Sequence, residues 1–154
     1  MESGTIEQAL PGLEGRQAPP APQLQIGTAL SLTPQKRLAV VSGSSHPVLA
    51  DKIAGHLGVP LTNVERTTFA DGSPYFRFED SVRGADMFIV QTASSPIGEH
   101  LMELLIMVNA AKLASAKRIT AVIPWYFYAR QDKKSRPREP ITARLVADLL
   151  ETAG

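Results

Sequence analysis

One stretch constrains the fold more than any other: it runs from residue 118 to residue 141 and reads RITAVIPWYFYARQDKKSRPREPI. Its first part, Ile119 to Pro124, is almost entirely apolar. Such a run is typical of a strand buried on both faces of a parallel sheet, and the proline, which has no N–H, ends the strand. Pro140 suits the first turn of a helix, where that N–H is not needed. The stretch therefore predicts a strand, a loop and a helix in succession.

The predicted loop is strongly basic. Its cations are Arg130, Lys133, Lys134, Arg136 and Arg138. Open α/β sheets usually bind ligands at the carboxyl ends of their strands, and a polyanion fits such a cluster best. Two alternatives stay open: a solvated flexible loop, or an RNA-binding loop in which the aromatic residues 125–128 stack bases. The position after a buried strand favours an anion site, and the shortness of the cluster speaks against nucleic acid.

Composition narrows the class of protein. With 154 residues, 44% of them apolar, the chain is long enough for one domain of ordinary size. The formal net charge is only +1, so anion binding must come from local clustering. The absence of cysteine excludes disulfides, thiolate metal sites and a cysteine nucleophile. It is compatible with the cytoplasm, which is the location we expect. No stretch reads as a membrane span or a secretory signal, so we expect no membrane partner.

Residues 1–36 differ in kind from the rest. They are rich in proline and glycine and show no helical or strand period, so they predict a flexible N-terminal extension. A proline-rich docking peptide is the alternative reading. Residues 37–154 predict the folded domain.

The folded part begins as a β-α unit. Leu38 to Val41 predicts a short buried strand, and Pro47 marks the start of a helix. Leu49, Ile53 and Leu57 repeat as one apolar stripe along this helix, which Gly58 ends. The turn between strand and helix, residues 42–45, reads Ser-Gly-Ser-Ser. It either binds phosphate or, as serines more often do, caps the helix.

A hairpin is predicted next. Val64 to Phe69 and Tyr75 to Phe78 read as two strands around the turn at residues 70–74. Phe69, Asp71 and Ser73 then lie near its tip, where Phe69 offers a flat face to a purine and Asp71 an acceptor for an exocyclic amine. A purely structural turn is the other reading.

Met87 to Val90 predicts a second buried parallel strand, and a largely apolar helix follows Pro96 and continues to Ala116. Within this helix Glu103 is either a functional carboxylate or, as we favour, a group that faces a local polar partner or solvent. The three histidines show no metal-ligand spacing and are predicted on the surface. They are His46, His56 and His100.

Alternating strands and helices predict an α/β fold: an open, mostly parallel sheet flanked by helices, with a projecting β-hairpin. The last helix contains Ile141, Leu145 and Val146 and stops at Gly154. A further strand is expected after it, so we expect the chain to be a fragment.

Three segments together resemble one family. They are SGSSHPVLADKIAGHLGVPL, FADGSPYFRFEDSVRGAD and the run from LMELLIM through YARQDKK and REPITA to the end. In this order and spacing they resemble the N-terminal half of ribose-phosphate pyrophosphokinase, a phosphoribosyltransferase-like fold. The resemblance covers residues 37–154. It implies transfer of the diphosphoryl group of ATP to ribose 5-phosphate with Mg²⁺, in homo-oligomers such as hexamers.

The resemblance also implies the site residues. ATP would be bound between two copies, by the hairpin of one and the loop of the other: Phe69, Asp71, Gly72, Ser73, Arg130, Gln131 and Asp132. A regulatory nucleotide or phosphate would contact Ser81, Arg83, Lys134 and Arg138.

Two departures from the family pattern matter. Ser73 stands where the family usually has glutamate, and Pro74 follows it, which removes one longer acceptor. The family's magnesium ligands, catalytic loop and ribose-phosphate loop all come after the position of Gly154. We therefore expect no catalytic or metal-binding residue in this chain, and no activity of the chain alone. A non-catalytic regulatory subunit is the alternative role.

Overall fold

The computed structural model describes residues 37–154, and the predicted flexible extension, residues 1–36, lies outside them. Eight elements follow one another along the described part. In chain order they are β1 (Leu38–Ser42), α1 (Pro47–Leu57), β2 (Val64–Thr68), β3 (Pro74–Phe78), β4 (Asp86–Val90), α2 (Ile97–Leu113), β5 (Arg118–Val122) and α3 (Thr142–Ala153).

Three of the strands form a parallel sheet in the order β1-β4-β5. Val40 lies opposite Phe88, and Phe88 lies opposite Thr120. Each strand is joined to the next by a segment that contains at least one helix or the hairpin, as parallel connections require. The predicted class, an open α/β sheet with a separate hairpin, is confirmed.

The two faces of the sheet pack against different helices. Val40 and Val90 lie with Ala50 and Ala54 of α1 in one buried cluster. Val41 and its neighbours on the other face pack against α2, in a larger cluster that includes Met87, Ile89, Leu104 and Met107. Successive side chains of a strand point to opposite faces, so an uninterrupted apolar run fills both cores.

The predicted apolar stripe of α1 is only partly correct. Leu49 and Ile53 are half-buried, and Leu57 is 52% exposed. The residues that this helix buries are Ala50 and Ala54. Their small side chains let the helix approach the strands closely, which a count of large apolar residues overlooks. The predicted stop at Gly58 is confirmed, and its φ of 67° is one that glycine adopts without strain.

Three further predictions fail locally. β5 is half-buried along most of its length, because it is an edge strand among the described residues. Pro140 does not lie in the first turn of α3, since that helix begins at Thr142 with Ile141 as its N-cap. Similarly, α2 ends at Leu113, three residues before the predicted Ala116.

The hairpin is confirmed. β2 and β3 are antiparallel, and Val64, Arg66 and Thr68 lie opposite Phe78, Phe76 and Pro74. Phe76 is buried, and its ring meets the edge of Phe78 at a centroid distance of 4.9 Å. The base of the hairpin is thus part of the core, and its tip projects from it. Among the described residues no helix is both long and apolar enough to cross a membrane.

Candidate functional site

The tip of the hairpin is a turn held by its own side chains. Asp71 Oδ1 accepts hydrogen bonds from the Ser73 hydroxyl at 2.6 Å and from the Ser73 N–H at 2.9 Å. These two donors, the hydroxyl first, lower the pKa of the Asp71 carboxyl. Gly72, with a φ of 85°, donates its N–H to the Phe69 carbonyl at 2.9 Å. The turn is therefore ordered, and both Ser73 donors bind Asp71 Oδ1, so neither of them uses Oδ2.

Phe69 displays an aromatic face at this tip. The residue is 55% exposed, and the edge of Tyr75 meets it at a centroid distance of 5.8 Å and an interplanar angle of 67°. An edge-to-face contact of this kind restrains the ring and leaves one face available for stacking. The structure thus brings Phe69 together with Asp71, Gly72 and Ser73, the four hairpin residues that the sequence analysis selected.

The first part of the basic loop is anchored to the fold. The Trp125 N–H donates to Thr92 Oγ1 at 3.2 Å, just beyond the carboxyl end of β4. Phe127 is fully buried, and the Tyr126 hydroxyl donates to the Ala143 carbonyl of α3 at 3.2 Å. The loop consequently starts from a fixed point at the carboxyl edge of the sheet, as predicted.

The second part of the loop is ordered by two local contacts. Glu139 Oε2 accepts the N–H groups of Ser135 and Arg136 at 2.8 and 2.9 Å. Gln131 Oε1 accepts the Thr142 hydroxyl at 2.5 Å. One end of the Gln131 amide is therefore used by the fold, which leaves its Nε2 donors as the groups that a ligand could meet.

The five cations of the loop are all exposed, and so is Asp132. In the part of the chain that the structure describes, ion pairs involve Arg66, Arg77, Arg118 and Arg144, and none of the loop cations. Their side chains also have no hydrogen-bond partner among residues 37–154. A cluster of unpaired cations is costly unless water or an anion compensates it, so this loop suits a polyanion.

The hairpin tip and the loop do not meet within one chain. No hydrogen bond or ring contact connects residues 69–73 with residues 130–138 in the described part. The candidate regulatory residues are also divided. Ser81 and Arg83 precede β4 at the amino edge of the sheet, whereas Lys134 and Arg138 follow β5 at the carboxyl edge.

A buried polar network at the carboxyl ends of β1 and β4 was not predicted. Its centre is Glu103 of α2, 8% exposed. Glu103 Oε2 accepts hydrogen bonds from Ser44 Oγ at 2.5 Å, from the Ser44 N–H at 3.1 Å and from Gln91 Nε2 at 2.7 Å. Glu103 Oε1 lies 3.2 Å from Arg66 Nε of the hairpin. From the sequence, two environments are favoured for this carboxylate, a local polar partner or solvent. The polar partner is confirmed, and solvent is not, because the residue is buried.

Gln91 completes the network. Its Oε1 accepts the Ser45 hydroxyl at 2.5 Å and the Ser45 N–H at 3.0 Å, and its Nε2 also donates to the His100 carbonyl at 3.1 Å. Gln91 is 1% exposed. All four strong hydrogen-bonding positions of this buried amide are used, and a fully satisfied network of this kind is a rigid one.

These contacts revise both readings of the Ser-Gly-Ser-Ser turn. The N-cap of α1 is His46, whose Nδ1 accepts the Leu49 N–H at 3.1 Å, so the serine-cap reading is wrong. The turn does present donors to an anion, as the phosphate reading supposed. That anion is the internal carboxylate of Glu103, which occupies the Ser44 N–H and hydroxyl. A phosphate would have to displace it against like-charge repulsion.

Sequence reasoning missed Arg66 and Gln91. A signal for Arg66 existed: it takes a position on the core-facing side of the hairpin, between Val64 and the tip, where alternation expects an apolar residue. Gln91 directly follows a buried apolar run, a position that carries no specific signal. His100, predicted on the surface, is half-buried and its Nδ1 lies 3.0 Å from the Ser94 carbonyl oxygen.

A cleft of about 530 Å³ lies between the hairpin and α2. Arg66, Tyr75 and Phe76 line it from the hairpin, and Met102 and Glu103 line it from the helix. None of the loop residues borders it. Within residues 37–154 no group of three or more histidine, cysteine, aspartate or glutamate side chains is placed to hold a metal ion.

The fold is thus an α/β domain whose candidate ligand-binding groups lie on a projecting hairpin and on a loop at the carboxyl edge of a parallel sheet. Residues 38–154 match the family model described as the N-terminal domain of ribose phosphate pyrophosphokinase. The chain belongs to the ribose-phosphate pyrophosphokinase family.

Individual relatives agree with this assignment. The chain is 55% identical to the ribose-phosphate pyrophosphokinase of Corynebacterium efficiens over 119 residues, which are 77% of this chain and 37% of that protein. It is also 55% identical to the enzyme of the same name from Mycobacterium leprae over 120 residues, 78% of this chain and 37% of that one. The chain therefore spans little more than a third of the length of these relatives.

A solved structure is similar as well. The crystal structure of phosphoribosylpyrophosphate synthetase from Mycobacterium smegmatis superimposes with a TM-score of 0.76 at 55% sequence identity. The match covers 77% of this chain and 40% of that one. The predicted family and fold are thus both confirmed.

Proposed function

We propose that this chain supplies part of the ATP site of a ribose-phosphate diphosphokinase. That enzyme transfers the β,γ-diphosphoryl group of ATP to ribose 5-phosphate, which gives phosphoribosyl diphosphate and AMP for nucleotide biosynthesis. The site would form between two copies of the chain in a homo-oligomer, a hexamer according to the family resemblance. One copy contributes the hairpin tip, and its neighbour contributes the basic loop.

The observation that carries this proposal is the separation of two exposed, complementary groups. The tip offers an aromatic face and a carboxylate oxygen that Ser73 does not use, and the loop offers cations without an ion-pair partner in the described residues. The tip carboxylate bonds Ser73 through Oδ1 only, and no hydrogen bond joins the tip to the loop within residues 37–154. A nucleotide has a purine for the first and a polyphosphate for the second, so it would join two copies.

Each residue has a role that its geometry allows. Phe69 stacks on the adenine, and Asp71 Oδ2 accepts a hydrogen bond from the exocyclic amine of that base. Gly72 and Ser73 maintain the conformation of the turn. Arg130 neutralises the polyphosphate, because a guanidinium can contact two phosphate oxygens at once. Phosphoryl transfer depends mainly on positioning and charge neutralisation, which these groups provide.

Two neighbours of Arg130 complete the loop side. The Gln131 Nε2 group donates to ligand oxygen atoms while its Oε1 stays bound to Thr142. The Asp132 carboxylate accepts a hydrogen bond from a ribose hydroxyl. A second, regulatory site for a nucleotide or phosphate would combine Ser81 and Arg83 of one copy with Lys134 and Arg138 of another. Within one chain these two pairs of residues lie at opposite edges of the sheet, so a single chain would not bring them together.

Magnesium accompanies ATP in the reaction that the family resemblance implies. The described residues contain no cluster of ligands for the ion. They do not fit a magnesium site of their own, and no step of the proposal depends on one.

Nucleotide affinity tests the loop assignment. Trp125 is the single tryptophan of the chain, is 61% exposed and opens the basic loop, so its fluorescence reports on ATP binding there. We expect Arg130→Ala to weaken ATP binding by about tenfold to a hundredfold, because a charge-assisted hydrogen bond contributes about 1.5–3 kcal/mol.

Arg144→Ala is the matched control. Arg144 lies on α3, is paired with Asp148 at 3.6 Å and takes no part in the proposed site. We expect wild-type ATP affinity in this variant. Undiminished affinity in Arg130→Ala, or an equal loss in both variants, would contradict the loop assignment.

A mixing experiment tests whether the site lies between copies. Phe69→Ala removes the hairpin side and Arg130→Ala the loop side, so each variant alone should bind ATP weakly. In a mixture, some interfaces combine an intact hairpin with an intact loop, and a fraction of sites should regain wild-type affinity. If mixing restores none, each site is built within a single chain.

A further inference from the structure

The core-facing side of the hairpin contains one charged residue. Val64 and Arg66 of β2 lie opposite Phe78 and Phe76 of β3, and this face of the hairpin packs onto the core. Arg66 therefore occupies a position where packing alone would favour an apolar side chain. Arg66 is an exposed residue whose side chain is 33% exposed, so what it does at this position must be read from its polar contacts.

Three different elements contact the Arg66 guanidinium. Its Nε lies 3.2 Å from Glu103 Oε1 of α2, and one of its terminal nitrogens donates to the Ser42 carbonyl at the end of β1. Its central carbon lies 5.8 Å from the centre of the Phe76 ring in the neighbouring strand. The planar donors of arginine fix direction as well as distance, which a lysine or an apolar side chain does not.

Glu103 is itself held by the sheet edge. Ser44 and Gln91 bind its Oε2, and Gln91 also binds Ser45 and the His100 carbonyl. The carboxylate cannot follow Arg66 if the hairpin moves, because its other oxygen is fixed to the turn after β1 and to the end of β4. The ion pair thus joins the hairpin to a polar network whose buried amide, Gln91, has all its hydrogen bonds satisfied.

Apolar packing alone would not fix the orientation of the hairpin relative to the core. Burial of Phe76 opposes separation of the hairpin from α2, but the hydrophobic effect is non-directional and permits sliding and rotation. The tip projects beyond this contact, so a small rotation at the base becomes a larger displacement at Phe69 and Asp71. Directional contacts at the base are the ones that limit it.

We propose that Arg66 and Glu103 are positioning residues: their ion pair sets the direction of the hairpin and so places its tip for the site in the neighbouring copy. Neither residue touches the nucleotide. The reference to the nucleotide rests on the proposed function above, whereas the effect on hairpin direction does not.

The direction of the hairpin can be measured without any ligand. The chain has no cysteine, so two engineered cysteines can carry spin labels at unique positions. Ala70→Cys at the tip and Lys52→Cys on α1 are both exposed and lie outside the network. Double electron–electron resonance then gives the distance distribution between the labels.

We expect a narrow distance distribution in the otherwise wild-type chain and a broadened or shifted one in Arg66→Met. Methionine retains much of the side-chain volume but lacks the N–H donors of the guanidinium. Glu103→Gln should broaden it too. Arg77→Met is the matched control: Arg77 belongs to the same hairpin but pairs with Glu65 on its outer face. Its distribution should equal that of the wild type.

If circular dichroism shows that Arg66→Met does not fold, Arg66→Lys tests the positioning role instead. Lysine retains the charge and loses the planar geometry, so the proposal expects a folded chain with a broadened distribution. An unchanged distribution in a folded Arg66→Lys or Arg66→Met chain overturns the positioning role. Equal broadening in Arg77→Met also overturns it, because any change in the hairpin would then suffice.

The same variants link hairpin direction to the nucleotide. ATP affinity should fall by about tenfold in Arg66→Met, since binding must then order the hairpin, and should stay unchanged in Arg77→Met. Altered distances with unaltered affinity would overturn the link to the site. A wild-type chain that binds no ATP would instead overturn the proposed function, and the label distances would still decide whether Arg66 directs the hairpin.

Discussion

The polar groups around Glu103 and those of the basic loop differ in where their partners lie. Glu103 and Gln91 are buried, and donors and acceptors of the same chain satisfy them. The loop cations are exposed and have no partner in the described residues. Buried polar groups must be satisfied internally because water cannot reach them, whereas exposed ones are available to a ligand. The comparison separates polar residues that hold the fold from those that can bind.

The largest effect should come from a methyl group added inside the network. A Cβ on Gly43 would lie 2.1 Å from Gln91 Oε1 and 2.4 Å from its Cδ. Gln91 can move aside only by giving up its hydrogen bonds, so we expect Gly43→Ala to lower the free energy of unfolding by about 3 kcal/mol. Urea denaturation measures this loss.

Gly55→Ala is the control for that substitution. Gly55 lies in α1, and an added Cβ there meets no atom within 4 Å. The same change should therefore raise the free energy of unfolding by about 0.5–1 kcal/mol, because alanine favours a helix more than glycine does. A Gly43→Ala chain as stable as the wild type would show that the network is loose, and the contrast with the loop would disappear.

A smaller effect is expected at the hairpin tip, where an exposed carboxylate has an internal partner. Since the pKa of Asp71 is lowered in the folded chain, its stabilising contribution is present above the ordinary aspartate pKa of about 3.9 and is lost as the pH falls through the lowered value. Ser73→Ala removes the largest cause, so the pKa of Asp71 should rise toward its ordinary value. A carbon-detected NMR titration of the Asp71 carboxyl measures it.

Ser135→Ala provides the comparison for this titration. Ser135 is an exposed loop serine whose contact with Glu139 involves its backbone N–H only. Removal of the Ser135 hydroxyl should leave the pKa of Asp71 unchanged. If Ser73→Ala also leaves it unchanged, the Ser73 hydroxyl does not hold the turn, and the tip belongs with the exposed groups that have no internal partner.

The smallest effect is expected on the outer face of the hairpin. Arg77 and Glu65 approach to 2.8 Å, with side chains 58% and 44% exposed, and the hydrogen bond to Glu65 followed by its charge raises the pKa of Arg77. Water and salt screen such a pair. Arg77→Met should lower the Tm only slightly at low salt and not at all at 1 M NaCl, where the Debye length is about 3 Å.

Arg66→Met sharpens the contrast between the two arginines of one hairpin. The partner of Arg66, Glu103, is buried, so salt screens this ion pair less. The decrease in Tm caused by Arg66→Met should therefore persist at high salt. A persistent loss in Arg77→Met, or a loss in Arg66→Met that salt abolishes, would contradict the division into internally paired and exposed groups.

Most of the framework followed from local pattern. The run before Pro124 and the run from Met87 to Val90 each predicted a parallel strand, and the Asp-Gly turn predicted the hairpin, because apolar period and turn chemistry are local properties of the chain. The errors have local causes too. Ala50 and Ala54 were overlooked because close approach, not side-chain size, decides what α1 buries.

Site residues divide in the same way. A cluster of cations after a buried strand is visible in the sequence, and Phe69 and Asp71 are visible beside a turn. Arg66 and Gln91 were not selected, and Glu103 was selected without its partners. Their contacts join residues up to 59 positions apart, from Ser44 to Glu103, and no local pattern encodes such a pairing.

The sequence by itself therefore determined the order of strands and helices, the hairpin, the basic loop and the family, since each depends on neighbouring residues or on a continuous motif. Only the tertiary structure decided which polar residues face one another. It showed that the donors of the Ser-Gly-Ser-Ser turn bind Glu103, and that Arg66 connects the hairpin to that carboxylate. The physical reason is that burial forces each polar group to find a partner in space, and distance along the chain does not restrict where that partner comes from.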